Sequence, residues 1–423
     1  MKPSIRRLIV GVILLLLMGG AGVLLNYLSK GMAYADSDAK AANVDRSIVA
    51  SNTDFAVRLL RELQDEQEGK NIFISPLSVS IALTMTYNGA NSSTREAMSS
   101  VLGLSGMSDD AVNTGYNQLI ESLTNADKDV SLNIGDSVWI RSAFAESVKK
   151  DFTDTLSKYY MSEVYIKPFD PTTANEVNSW VDKETNGKIS KILDDIDPDN
   201  VMFIINAIYF KGDWVDKFDE SLTHSVDFTT ADGSTVKVDM MSRSGSYLYY
   251  RSDDVEVARL PYGRDKIAMY VFLPAENSSL ESFTASLTGE GLDAYFAKLT
   301  KKELDLKLPK LKLEYGKVDL KPALTNLGMG VAFDRASADF SRIADVSPER
   351  LYIAFVDHKA VVEVNEKGTE AAAVTNVGFS VTSAPIRTPF TVDRPYLFVI
   401  RDDRTGTNLF SGLITDPTKQ ASP

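Results

Sequence analysis

The stretch from Val361 to Pro389 constrains the fold more than any other, because it satisfies two incompatible descriptions at once. It opens as a strand, with the β-branched Val361, Val362 and Val364 around Glu363. Glu366-Lys-Gly-Thr-Glu follows, then the small residues Ala371, Ala372 and Ala373, then a run to Pro389 rich in Gly, Ser, Thr and Pro with no charge before Arg387. By composition this is an exposed loop, and one about as long as a loop gets before it must be functional or disordered, which is beyond ~12–15 residues. By alternation it is a strand: Thr369, Ala371, Ala373, Thr375, Val377 and Phe379 form an uncharged face whose first members are small. A segment able to be both is a candidate switch. An ordinary surface loop with chance alternation reads the same way at this length.

The rest of the chain supplies a large body for that segment. The 423 residues contain no cysteine, so no disulfide supports the fold. Residues 1–35 carry Lys2, Arg6, Arg7 and Lys30 and no acid, so all 58 acidic residues lie beyond them against the remaining basic ones. An acidic body argues against nucleic acid and anionic membrane surfaces as partners. The basic start, the apolar run Leu8 to Leu28 and the small residues around Ala35 describe a secretory signal peptide cut after Ala35. The run is also long enough to span a bilayer, which takes about 20 residues, so an uncleaved anchor fits as well. Both leave the body outside the cytoplasmic membrane, secreted or anchored on its outer face. Residues 36–45 read as a tether and 46–423 as one domain.

Within 46–423, apolar spacing predicts helices over Ser47–Gln67, Thr94–Leu102, Asp109–Thr124, Phe152–Tyr160, Asn175–Leu193, Leu280–Leu299 and Lys321–Leu327. Ser75-Pro76 starts another, apolar all round and therefore buried. Ser78 and Ser80 inside it read as back-bonded to helix carbonyls. Strands are predicted over Val130–Ile140, Val236–Met241, Tyr247–Arg251, Val255–Pro261, Ile267–Leu273, Leu304–Tyr315, Tyr352–Val364, Tyr396–Ile400 and Leu409–Ile414. Val201–Phe210 is nearly continuously apolar, a strand covered on both faces, and Asn206 inside it must be hydrogen-bonded. No internal repeat appears. Runs of helices and strands without βαβ alternation predict an α+β fold of mostly antiparallel sheets.

Catalytic chemistry has little to work with. There is no G-x-S-x-G, P-loop, H-E-x-x-H or EF-hand pattern, and only two histidines. His224 lies in a polar Thr-His-Ser turn. His358 lies in an apolar strand, where a lone histidine is ordinarily a satisfied structural residue.

Four motifs in order carry a resemblance over the whole mature chain. Glu366-x-Gly-Thr-Glu-Ala-Ala-Ala resembles the reactive-loop hinge of the serpins. Asn71-Ile-Phe-Ile-Ser-Pro-Leu-Ser resembles the start of their second helix, Asn206-Ala-Ile-Tyr-Phe-Lys-Gly-Asp-Trp a central strand and its turn, and Phe390-Thr-Val-Asp-Arg-Pro-Tyr-Leu-Phe the segment after the loop. The resemblance implies a serpin fold of three sheets and eight or nine helices, with an exposed reactive-centre loop over about 366–390. It implies a monomeric inhibitor without cofactor or metal, not an enzyme, that a target serine protease cleaves and that traps the acyl-enzyme by inserting the loop into the central sheet. A non-inhibitory binding or chaperone module of the same fold and an inhibitor of cysteine proteases remain alternatives, and membrane contact is limited to the N-terminal segment. Carried over by motif, the hinge comprises Glu366, Gly368, Thr369, Glu370, Ala371, Ala372 and Ala373. A shutter under the sheet comprises Ser75, Ser78, Asn206 and His358, and a breach at its top comprises Trp214, Lys310 and Glu366. Counting the family's loop length from Gly368 places the reactive bond at Thr382-Ser383, and counting back from Arg394-Pro395 moves it toward Ala384. Val381-Thr-Ser-Ala suits an elastase-like or subtilisin-like protease.

Overall fold

The computed structural model describes residues 37–124, 126–197, 200–346, 350–369 and 386–419. Its strands are β1 (Ile72–Ile74), β2 (Val130–Arg141), β3 (Glu163–Lys167), β4 (Met202–Asp213), β5 (His224–Thr229), β6 (Thr235–Arg251), β7 (Val255–Tyr262), β8 (Ile267–Pro274), β9 (Thr300–Pro309), β10 (Leu311–Asp319), β11 (Val356–Asn365), β12 (Gly368–Thr369), β13 (Thr388–Thr391), β14 (Tyr396–Asp402) and β15 (Thr407–Ile414). The helices that matter below are α1 (Arg46–Glu66), α2 (Pro76–Tyr87), α3 (Ser92–Val101), α4 (Asp109–Leu123), α5 (Lys150–Tyr160), α6 (Pro171–Glu184), α7 (Leu280–Ser286) and α8 (Gly289–Lys298).

A six-stranded sheet in the order β10-β11-β12-β4-β2-β3 forms the centre. Its strand β4 explains its own sequence. Phe203, Ile205 and Ala207 pack with Trp139 of β2 and with Val177 and Val181 of α6 on one face. Ile204 and Ile208 belong to the main core on the other, with Leu77, Ile81 and Met85 of α2. A strand covered twice has no polar face, which is why its apolar run is unbroken. Helix α2 is buried along its whole length, and Ser75 caps it by accepting from the Ser78 amide with Pro76 in the first turn.

The second sheet has nine strands, in the order β1-β15-β14-β8-β7-β6-β9-β13 with β5 beside β6. Two of the three expected sheets are joined in it. The cause is β6, which runs unbroken for 17 residues. It pairs with β5 from Thr235 to Met240, with β9 from Met240 to Tyr249 and with β7 from Leu248 to Arg251. The sequence reads β6 as two strands because Ser242 to Ser246 breaks its apolar alternation.

Other boundaries move for local reasons. The expected helix 280–299 is two, split at Leu287, with Ser279 and Thr288 each capping one. The expected strand 304–315 is also two, parted at Lys310 and placed in different sheets. The helix expected to reach Leu193 stops at Glu184, ahead of Gly187 at φ +79°. Strands β3, β5 and β13 were not expected, and His224 opens β5 as an exposed strand residue rather than lying in a turn. Ser80 does not back-bond: its hydroxyl meets the Tyr116 hydroxyl at 2.6 Å.

Residues 37–42, inside the expected tether, are helical and lie against the body. Ser37 Oγ donates to the Ser122 carbonyl at 2.8 Å, and Lys266 Nζ lies 2.6 Å from Asp38. No helix among the described residues is long and apolar enough to cross a membrane. The Leu8–Leu28 run lies outside them.

Gly412 of β15 is pressed between β1 and β14, and a Cβ there would come within 2.3 Å of the Phe398 ring. Gly412→Ala is expected to lower stability by about 1–3 kcal/mol through overpacking, read as a fall in the thermal midpoint at fixed scan rate.

Candidate functional site at the parting of the central sheet

The two middle strands of the central sheet, β4 and β11, run parallel but share only a short register, Ile204–Ala207 against Val356–Lys359. Above it the described residues pair them with each other no further. The two-residue strand β12 stands between them instead. Thr369 lies opposite Val364 on one side and Gly212 on the other, and Gly368 opposite Asn365 and Asp213. The chain leaves β11 at Asn365, turns through Glu366 and Lys367, and comes back antiparallel in the gap. Gly368 is required here: its φ is +154°, and a Cβ would stand 2.1 Å from the Gly212 carbonyl oxygen.

A collar of specific contacts holds the turn. Thr369 is buried, and its hydroxyl lies 2.7 Å from the Tyr262 hydroxyl. Tyr262 stacks on Trp214 with ring centroids 4.4 Å apart. The Trp214 indole N–H donates to the Asn365 carbonyl at 2.9 Å, and its backbone N–H to the Lys367 carbonyl at 2.8 Å. Glu366, only 6% exposed, accepts from Thr223 Oγ1 at 2.8 Å and from Lys310 Nζ at 3.2 Å. Burial opposes ionisation of Glu366, but hydrogen bonds from the backbone, Thr223 and Lys310 outweigh it and hold the carboxyl below its ordinary range. So Trp214, Lys310 and Glu366 do meet at the top of the sheet.

A second polar group closes the sheet below the parting. Asn206 of β4 stands in register with His358 of β11 and with Asp136 of β2. The Ser75 amide donates to His358 Nε2 at 3.2 Å. Nε2 is therefore the acceptor, and Nδ1–H donates to Asn206 Oδ1 at 3.0 Å. The Asn206 amide nitrogen donates to Ser78 Oγ and, at 2.6 Å, to Asp136 Oδ1. Ser75 Oγ donates to the Leu409 carbonyl of β15 at 2.7 Å. One chain of hydrogen bonds thus links three strands of the central sheet to helix α2 and to the other sheet. Burial keeps His358 neutral down to about 4 and pushes the Asp136 carboxyl up to about 7.

Ser75, Ser78, Asn206 and His358 come together in this network. Glu370, Ala371, Ala372, Ala373, Thr382 and Ser383 lie outside the described residues. Sequence reasoning missed Asp136, Tyr262 and Thr223. Asp136 left a signal: it shares the parity of Leu132, Ile134, Val138 and Ile140, so an acid stands on the apolar face of a core strand. Tyr262 and Thr223 left none, being ordinary residues brought to the hinge by tertiary folding.

The family described as Serpin (serine protease inhibitor) matches residues 50–417. The chain is a serpin. It is 35% identical to human Serpin B8 over 379 residues, 87% of this chain and 98% of that one. Among solved structures, the native thermophilic serpin tengpin superposes with a TM-score of 0.82 at 31% identity, over 88% of this chain and 95% of that one. Its latent state gives 0.76. Human thyroxine-binding globulin in complex with its ligand gives 0.79 at 30% identity, over 88% and 99% of the two chains.

Two outcomes are expected of this serpin. Gly368→Ala should expel the turn from the gap and shift the Trp214 emission, read by tryptophan fluorescence. For Asp136, the folded chain holds the proton more tightly than an unfolded chain with a pKa near 3.8. Its contribution therefore favours the fold at acid pH and is lost as the pH rises from about 4 to about 7. Burial likewise raises Asp357, to about 6, while His358 works the opposite way, losing stability as the pH falls from 6.5 to about 4. Asp136→Asn should raise the thermal midpoint at about pH 8, with the gain vanishing toward pH 4.

Proposed function

We propose that this serpin inhibits serine proteases as a suicide substrate. The protease cuts the loop at Thr382-Ser383 and is held as an acyl-enzyme on Thr382. The freed segment from Thr369 onward then enters between β4 and β11 as a full strand. The supporting observation is the seated Gly368–Thr369 pair, which already occupies the first positions of that strand between two parted edges. The hinge face is small and uncharged from Thr369 through Ala373, as entry into a packed sheet requires. Insertion must outrun hydrolysis of the acyl bond, so anything that stalls the first residues converts inhibitor to substrate. Lys310 and Glu366 fix where the strand turns in, and Ser75, Ser78, Asn206 and His358 hold the lower sheet until it must open. The small residues Val381 to Ala384 favour an elastase-like or subtilisin-like target. Residues 1–35 serve export or anchoring, which puts the inhibitor outside the cell as a monomer in reach of such enzymes.

The likeness to thyroxine-binding globulin supports a second reading, a serpin that carries a ligand and inhibits nothing. The two separate on incubation with elastase, subtilisin, chymotrypsin and trypsin. An inhibitor leaves a complex that survives denaturing electrophoresis and releases a peptide beginning at Ser383. A carrier is cleaved without any complex. In the inhibitor, Thr369→Arg would bury an unpaired cation against Tyr262, at a cost of several kcal/mol. It is expected to abolish the complex while loop cleavage continues, and a complex formed at the wild-type level would contradict strand entry at Thr369.

A further inference from the structure

Two buried hydroxyls meet where the second sheet touches the mouth of the gap. The Tyr262 hydroxyl lies 2.7 Å from that of Thr369, and among the described residues each is the other's only hydrogen-bond partner. Tyr262 is fully buried and Thr369 is 1% exposed, so neither has water as a substitute. Burial pushes ionisation of the phenol up, so it keeps its proton and remains a donor as well as an acceptor.

The tyrosine is the fixed member of the pair. It stands in register with Ile267 of β8 and forms a β-bridge to Trp214. On either side of it, the Val215 N–H donates to the Pro261 carbonyl at 2.9 Å and the Gly263 N–H to the Asp213 carbonyl at 2.8 Å. Its ring stacks on Trp214 and meets Phe210 of β4 edge-on, with centroids 5.1 Å apart. Gly212, the β4 residue opposite Thr369, leaves the slot through which the ring reaches the hinge: a Cβ there would come within 3.1 Å of the ring. Thr369 is the movable member, held between two strand edges over a strand of only two residues.

We propose that Tyr262 is a positioning residue for trapping: its hydroxyl fixes Thr369 in the gap, and with it the register in which the cleaved loop enters. This role rests on the inhibitory reading above. Continued in the register of Thr369 against Gly212 and Val364, Ala371 falls between the buried Phe210 and Val362, and Ala373 between the buried Ile208 and Ala360. A slip of one residue would turn Glu370 to that face, an unpaired charge in the core. Removing one hydroxyl orphans the other in the seat and favours withdrawal of the turn. Removing both leaves two apolar groups in contact and restores the seat. Insertion that starts from a withdrawn turn is slower and loses to hydrolysis of the acyl bond.

The test uses the full chain with elastase, subtilisin, chymotrypsin and trypsin. The ratio of cleaved inhibitor to complex is read on denaturing gels, and the rate of total loop cleavage from the same time courses. Tyr262→Phe and Thr369→Val are each expected to raise that ratio about tenfold at an unchanged rate of loop cleavage. The double variant is expected to return to within about threefold of the wild type. Single variants that trap like the wild type overturn the proposal. So does a double variant whose ratio is the product of the two single effects, which would mean a general loosening of the fold. A wild-type chain that traps none of the enzymes overturns the inhibitory reading and this role with it, whereas a trapping wild type with unaffected variants overturns the role of Tyr262 alone.

Discussion

Three strands of the central sheet are tied to one another by side chains that, the half-buried Asp136 apart, have no water to turn to. Asn206 donates to Asp136 and Ser78 and accepts from His358, which in turn accepts from the Ser75 amide. Each bond is worth only about 1 kcal/mol net, but leaving any partner unmade in this core costs ~1–3 kcal/mol. The network therefore behaves as a clamp: cheap to keep, expensive to break at one point, and separable only if the strands part together. That asymmetry lets the sheet stay shut below the point where, among the described residues, β4 and β11 part.

The open half is the other side of the same balance. Beyond Ala207 and Lys359 the facing edges of β4 and β11 meet only the two residues of β12 among the described residues. Unpaired strand edges in a protein are a template for another strand. Here the template is narrow, takes its strand antiparallel to both edges and is entered at one end, where Tyr262, Trp214, Thr223 and Lys310 fix the first turn. On the proposed mechanism the fold keeps its most favourable pairing in reserve, and the barrier to using it is kinetic. The closer likeness to native than to latent tengpin accords with a sheet that has not yet taken up its extra strand.

Much of this was legible in the sequence because the relevant signals were local. The unbroken apolar run through β4 announced a doubly covered strand, Ser75-Pro76 announced a capped helix, and Asn206 and His358 stood out as polar residues in apolar strands. The serpin motifs then brought Trp214, Lys310 and Glu366 to one place. What stayed hidden depends on tertiary placement. Tyr262 is one aromatic among many until β7 delivers its hydroxyl to Thr369. The continuity of β6 was hidden because strand pairing, rather than side-chain alternation, carries it across Ser242 to Ser246. Asp136 was legible and overlooked: its parity with the apolar face of β2 marked it as an acid turned into the core, and it proves to be the outer member of the clamp.

The central claim is that β4 and β11 are a parted pair awaiting a strand. Hydrogen exchange of their upper halves, 208–211 and 360–363, before and after a single cut in the loop tests it most directly. The account predicts that the amides facing the gap, those not already bonded to β2 or β10, exchange readily in the intact chain and become strongly protected once the loop is cleaved, as the inserted strand pairs with both edges. Unchanged exchange after complete cleavage would contradict it.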